Sequence, residues 1–353
     1  MRRRDFLALW GVAPLAPALL DRAALAASAD AGWRKYEITY TVEVQGEGPI
    51  KLWLPVPENG LSGHQRLLSA DWQGNATRAG FHRDARGGTP LFHAFWDKTA
   101  PAPQATVTLR VATRDFHADF GAVRRGGKPP ADVAVYLKPN ASLPTSGLVA
   151  STAQKITGNL QDPLEKAHAI YQWMVDNTFR DPKVRGCGTG DIRTMLETGY
   201  LGGKCADLSS LFVGLARASG IPARDVYGMR VGESDQFKCL GKSGDVSKAQ
   251  HCRAEFWLEG AGWIPVDPAD VRKVVLDEKL PLADAQVQAL SKRLFGYWEM
   301  NWVGFNSARD TRLIPPARAP LTYFMYPYAE TAGGGPNSLD PSAFRYRIES
   351  RSI

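Results

Sequence analysis

Cysteine is scarce in this chain, at four in 353 residues. That density excludes a disulfide-stapled scaffold, so ordinary hydrophobic cores must hold the fold. Charge of one sign is lacking as well. The formal balance is +7, but basic and acidic residues are mixed along the chain, which gives no ground for a nucleic-acid partner. No apolar run reaches the roughly 18 residues a membrane helix needs. There is no G-x-G-x-x-G after a strand, no P-loop and no H-E-x-x-H, so a cofactor role has no support. There is also no C-x-x-C pair; Cys187, Cys205, Cys239 and Cys252 are scattered at wide spacing, and no metal site is expected. What is present is ordinary globular composition, 44% hydrophobic and 22% charged, with 34 glycines and 24 prolines to make turns frequent. The length suits about two domains.

The chain opens Met1-Arg2-Arg3-Arg4-Asp5-Phe6-Leu7, and paired arginines before x-Phe-Leu resemble a twin-arginine export signal. The apolar stretch that follows is broken by Gly11, Pro14 and Pro17 and is too short to span a bilayer. Ala24-Leu25-Ala26 and Ala27-Ser28-Ala29 each fit an A-x-A cleavage site. Residues 1–29 therefore read as a signal peptide, and the rest as a periplasmic protein with no membrane span after cleavage. That compartment permits disulfides.

Residues 36–44 alternate apolar and polar without a fault, the pattern of a half-buried strand. Ile50 to Leu54 and the alternation around Val107, Leu109 and Val111 read as further strands. The spacing predicts an all-β sandwich over 30–140. The pattern then changes. Asp162 and Pro163 form a helix start, followed by apolar residues at helical spacing. His168 falls on that inner stripe. A second helix is predicted from Cys205 to Ser219, stopped by Gly220 and Ile221-Pro222. A strand near Asp225–Val231 precedes a hairpin, His251–Leu258 and Trp263–Asp267, turning at Gly260-Ala261-Gly262. Residues 141–353, C-terminal strands included, read as one α+β domain.

Cys205 sits where Gly202-Gly203-Lys204 meets a helix N-terminus. Unpaired amides and the positive helix end favour a thiolate there, and the same amides can donate to an oxyanion. A thiolate nucleophile needs a base, and the base an orienting group. His251 opens one strand of the predicted hairpin and Asp267 closes the other, so the turn brings them near one end; the register does not follow from the sequence.

These residues carry a resemblance. Gly203-Lys204-Cys205-Ala206-Asp207 resembles the G-x-C-x-D/E opening of the transglutaminase-like superfamily. Arg217-Ala218-Ser219-Gly220-Ile221-Pro222-Ala223-Arg224 is similar to its R-A-x-G-I-P-A-R stretch, and His251-x-x-x-Glu255 and Gly262-Trp263-Ile264-Pro265-Val266-Asp267-Pro268 to its H-x-W-x-E and G-W-x-x-x-D-P segments. The resemblance implies a papain-like α+β core behind an N-terminal β-sandwich, with Cys205 as nucleophile, His251 as base and Asp267 as orienting carboxylate. It implies acyl transfer through a thioester: hydrolysis of peptide or protein amides, cell-wall peptides among them, or glutamine transfer to an amine. A silent binding module is the remaining alternative.

One position departs from the pattern. Arg253 stands two after the histidine in place of an aromatic residue, and its guanidinium offers a carboxylate-binding group if it faces the cleft. Asp207 and Glu255 read as residues holding backbone or pairing with arginine, and Tyr200 as a candidate for the mouth of the site. Cys252 follows His251 on a strand, so its side chain is expected on the opposite face, free to bond with Cys187 or Cys239 away from the nucleophile.

Overall fold

Tyr36, Ile38, Tyr40 and Val42 are the apolar half of the first alternation, and all four are buried in the strand Trp33–Glu43. The structure is a computed structural model that describes residues 32–353 except 47, 84–87, 98–101, 125, 341 and 343. The expected signal peptide, 1–29, lies outside the described residues.

Trp33–Glu43 belongs to a sheet with Gln65–Gly74, Gln104–Arg114, Arg345–Ser352 and the short Gly244–Asp245. A second sheet contains Ile50–Pro55, Arg78–His82, Leu91–Trp96 and Tyr328–Glu330. Both sheets feed the same apolar core, through Ile38, Tyr40, Val107 and Leu109 on one side and Leu52, Leu54, Phe92 and Trp96 on the other. The three strands read from the sequence are present. Those at 65–74 and 91–96 are not announced by a comparably clean alternation: the first carries Ser69, Asp71, Gln73 and Gly74, and the second is apolar on both faces.

The C-terminal strands do not extend the second half. Arg345–Ser352 pairs antiparallel with Trp33–Glu43, Tyr40 facing Ile348, and Tyr328–Glu330 pairs with Ile50–Pro55. Glu37 fastens the arrangement by bonding Arg110 on one neighbouring strand and Arg351 on the other. Residue 140 therefore marks a change of architecture and not a spatial break. Arg34–Ile353 forms one compact unit.

The second architecture is an antiparallel sheet ordered Gly262–Val266, Gln250–Leu258, Ala223–Arg230, Trp302–Asn306. The helix Cys205–Ala218 packs on it, and every side chain from Cys205 to Arg217 is buried. The helix Pro163–Asn177 starts as predicted, with the Asp162 carboxylate accepting from Leu164 N at 2.8 Å. His168 departs from expectation: it is exposed, lying edge-on to Phe295 at 5.0 Å between ring centres. Among the described residues no helix is long and apolar enough to cross a membrane.

One cation pins the sheet, the helix and two loops together. Arg309 Nη1 lies 3.0 Å from Asp225 Oδ2 and 2.6 Å from Ser210 Oγ, while Nη2 reaches Ser142 Oγ at 2.8 Å and the Gly190 carbonyl at 3.3 Å. Its side chain is 3% exposed and that of Asp225 is 0%. Arg309→Ala strands a buried carboxylate, so we expect a loss of about 3–5 kcal/mol in urea unfolding, with part recovered by adding Asp225→Asn. A loss within 1 kcal/mol contradicts this role.

Candidate active site

Asp207 sets the position of Cys205. One carboxylate oxygen accepts from Lys204 N at 3.0 Å, and the other from Thr189 N and Gly190 N, each at 2.9 Å. The Cys187 carbonyl in turn accepts from Ala206 N at 2.9 Å. The loop 187–190 is thus tied to the first turn of the Cys205 helix. Gly188 is required in that loop: its φ is +94°, and a Cβ there would stand 1.9 Å from the Asp207 carboxylate. Asp207 and Glu255 act as anticipated. Glu255 pairs with Arg224 at 2.8 Å and also bonds Ser62.

The hairpin register decides whether the histidine and the second carboxylate meet. Ala254 pairs with Val266, so the next position places Asp267 across from Arg253, two residues from His251. His251 Nε2 lies 2.7 Å from Asp267 Oδ2, and both residues are buried. The other oxygen of Asp267 accepts from Asp270 N at 2.9 Å and caps the helix Pro268–Asp277. One carboxylate therefore both bonds the histidine and caps a helix. With Nε2 committed to Asp267, Nδ1 is the ring nitrogen left for the thiol.

A second carboxylate, Asp270, stands 3.4 Å from His251 Nε2 and takes a 2.6 Å bond from Arg230. Burial and the Arg230 charge push the imidazole down, but Asp270 and Asp267 outweigh them and raise it to about 10. Burial opposes ionisation of Asp270 too, yet Arg230 and His251 hold it well below the carboxylate range. Asp270 and Arg230 carry no motif signal and are found only in three dimensions.

Cys205 is 3% exposed. The adjoining thiols of Cys187 and Cys252 stabilise its anion, burial opposes it, and the bond and charge of His251 add to the stabilisation. The net effect holds the thiol well below its ordinary range. Burial with Glu278 instead pushes Cys239 up to about 12.

Three expectations are corrected here. Cys252 does not point away from the nucleophile: the Sγ atoms of Cys187, Cys205 and Cys252 lie within 4.8 Å of one another, with Met325 Sδ 3.8 Å from Cys252 Sγ. The Cys205 helix start sits over the end of the strand, where neighbouring residues of both faces come within reach. All four cysteines are free thiols in this structure. The three sulfurs have spacing suited to a soft metal, since thiolates bonded at about 2.3 Å to one ion stand roughly 4 Å apart. His251, Asp267 and Asp270 also cluster within 4.8 Å, but Arg230 and Arg253 already neutralise those carboxylates.

Arg253 is the second correction. It is turned away from the cleft and buried, with Nε 3.4 Å from Asp267 Oδ2 and its guanidinium 4.7 Å from the Trp302 ring centre. The carboxylate it serves is the protein's own. Trp302 also donates its indole N–H to the His251 carbonyl at 3.0 Å. Tyr200 is 53% exposed, bonds Asp181 at 3.0 Å and does not line the cleft.

Cys205 and His251 open on a cleft of about 500 Å³. Gln250 lines it, and its buried amide Nε2 has no protein partner.

The raised imidazole yields a direct expectation. NMR of ring-labelled histidine should place the His251 titration near 10, and Asp267→Asn, which keeps the cap but removes the charge, should drop it towards 6.5. The folded value lies above the unfolded one, so the associated stability is complete below about 6.5 and is lost as pH rises through 10. A titration near 6.5 in the unaltered protein contradicts the charge arrangement.

The family model described as the transglutaminase-like superfamily matches residues 150–268. An "Uncharacterized protein" of Haemophilus influenzae is 40% identical over 339 residues, covering 90% of this chain and 91% of its own. The crystal structure of a "Putative Cysteine Protease" from Cytophaga hutchinsonii superposes with a TM-score of 0.55 at 16% identity, covering 91% of each chain.

Proposed function

Because the chain belongs to the transglutaminase-like superfamily, with an α+β core of that type behind a β-rich N-terminal region, we propose that it is a cysteine-dependent hydrolase of amide or peptide bonds. The observation that carries this reading is the buried 2.7 Å bond between His251 and Asp267 beside a thiol held at a helix N-terminus. The twin-arginine-like opening supports action in the periplasm, where cell-wall peptides supply amides.

Each residue has a distinct task. The Cys205 thiolate attacks the carbonyl carbon, and the carbonyl electrons move onto oxygen. The Cys205 backbone N–H and the Gln250 side-chain amide, which lines the cleft without a protein partner, would donate to that oxyanion. His251 gives its Nδ1 proton to the leaving amine as the C–N bond breaks, which leaves a thioester. Water then attacks the thioester, His251 takes its proton, and Cys205 leaves as thiolate. Asp267 stays ionised, orients the ring and stabilises the imidazolium. Water is the default acceptor in an open cleft; an amine acceptor would need its own positioning.

Three outcomes check the proposal on a library of peptide amides. Cys205→Ala should abolish turnover in a protein that still unfolds in one cooperative transition. Gln250→Ala should lower kcat by about 10²–10³ with little change in KM. In ¹⁸O-water the product carboxylate should take up one labelled oxygen. Amine incorporation without label would make the protein a transferase, and full activity in Cys205→Ala would overturn the mechanism.

A further inference from the structure

The nucleophile's cleft is bordered by cations and lacks acids. Arg180, Arg185, Lys204, Lys242 and Lys248 all line it, and among the described residues no aspartate or glutamate does. None of these five cations forms an ion pair with a carboxylate among the described residues. Lys242 does feel the nearby Asp245. Two further cations of the lining are already matched, Arg230 by Asp270 and Lys273 by Asp277. The unmatched ones come from three separate stretches of chain, around 180–185, at 204 and around 242–248, so no single helix or loop accounts for them. The C-terminal segment contributes an apolar part of the wall, Tyr326, Leu339, Phe344 and Tyr346.

A cleft lined by one sign of charge with low-dielectric walls focuses its field on whatever enters. Excess positive charge raises the local concentration of anions and penalises cationic side chains. We propose that the acyl donor is an acidic peptide, one that presents carboxylates to Arg180, Arg185, Lys204, Lys242 and Lys248 while its scissile amide lies on Cys205. This rests on the hydrolase reading and narrows it: selectivity arises from charge in the cleft and from apolar contact with the tail-built wall. Free carboxylates, and not only backbone length, would set kcat/KM.

The test compares two alkylating reagents of similar size, one anionic and one neutral. Anionic iodoacetate and neutral iodoacetamide would be reacted with Cys205 in the full protein at low salt, with N-acetylcysteine as reference and mass spectrometry locating the label. The ratio of iodoacetate to iodoacetamide rates should exceed that of the reference by about tenfold or more and should fall as salt is added. The imidazolium of His251 also attracts an anion, so variants decide the matter. Arg185 and Lys248 are exposed, and the double substitution Arg185→Gln, Lys248→Gln should cut the ratio severalfold, slowing iodoacetate far more than iodoacetamide. A ratio that the double variant leaves unmoved overturns the acidic-peptide proposal and leaves the hydrolase reading standing. A Cys205 inert to both reagents contradicts the nucleophile itself, and the proposal falls with it.

Discussion

The carboxylate of Asp267 joins the chemistry to the scaffold. One oxygen holds His251, and the other caps the helix that begins one residue later. Its burial is tolerable only because charge is balanced around it. Asp267 and Asp270 face Arg230, Arg253 and His251 in one buried cluster. Removing any member leaves its partner desolvated, which is the costly outcome for a buried ion pair. His251 is therefore not an addition to a finished core, because it shares the carboxylates that Arg230 and Arg253 also hold.

The tail connects this cluster to the rest of the molecule. The last strand closes the N-terminal sheet against Trp33–Glu43. The segment leading into it supplies Tyr326, Leu339, Phe344 and Tyr346 to the cleft wall. The β-rich half and the nucleophile half thus share the same final residues, and the apolar core runs through both. A cleavage at the architectural boundary near residue 140 would not give two complete pieces.

Local signals were readable from the residues alone: the alternation at 36–44, the Asp162-Pro163 start, the Gly-Lys-Cys helix entry and the hairpin turn. Each depends on chemistry within a few positions. The misses were long-range. The destination of Arg253 depends on Trp302 and Asp267, which the sheet brings together from 49 and 14 positions away. Strand alternation separates His251 from Cys252 but does not say what stands at the strand end, and there the Cys205 helix meets both. Cys187 joined the site because Asp207 ties its loop to the helix start. The pairing of the tail with the first strand left no local mark at all.

The central claim is that this fold holds Cys205 as a thiolate against His251. Site-resolved alkylation with iodoacetamide from pH 5 to 9, read by mass spectrometry against Cys205→Ser, tests it most directly. The account predicts rapid labelling of Cys205 that is nearly independent of pH below 7, with Cys187, Cys239 and Cys252 labelled slowly. Labelling that climbs only near the ordinary thiol value of about 8.5 would contradict it.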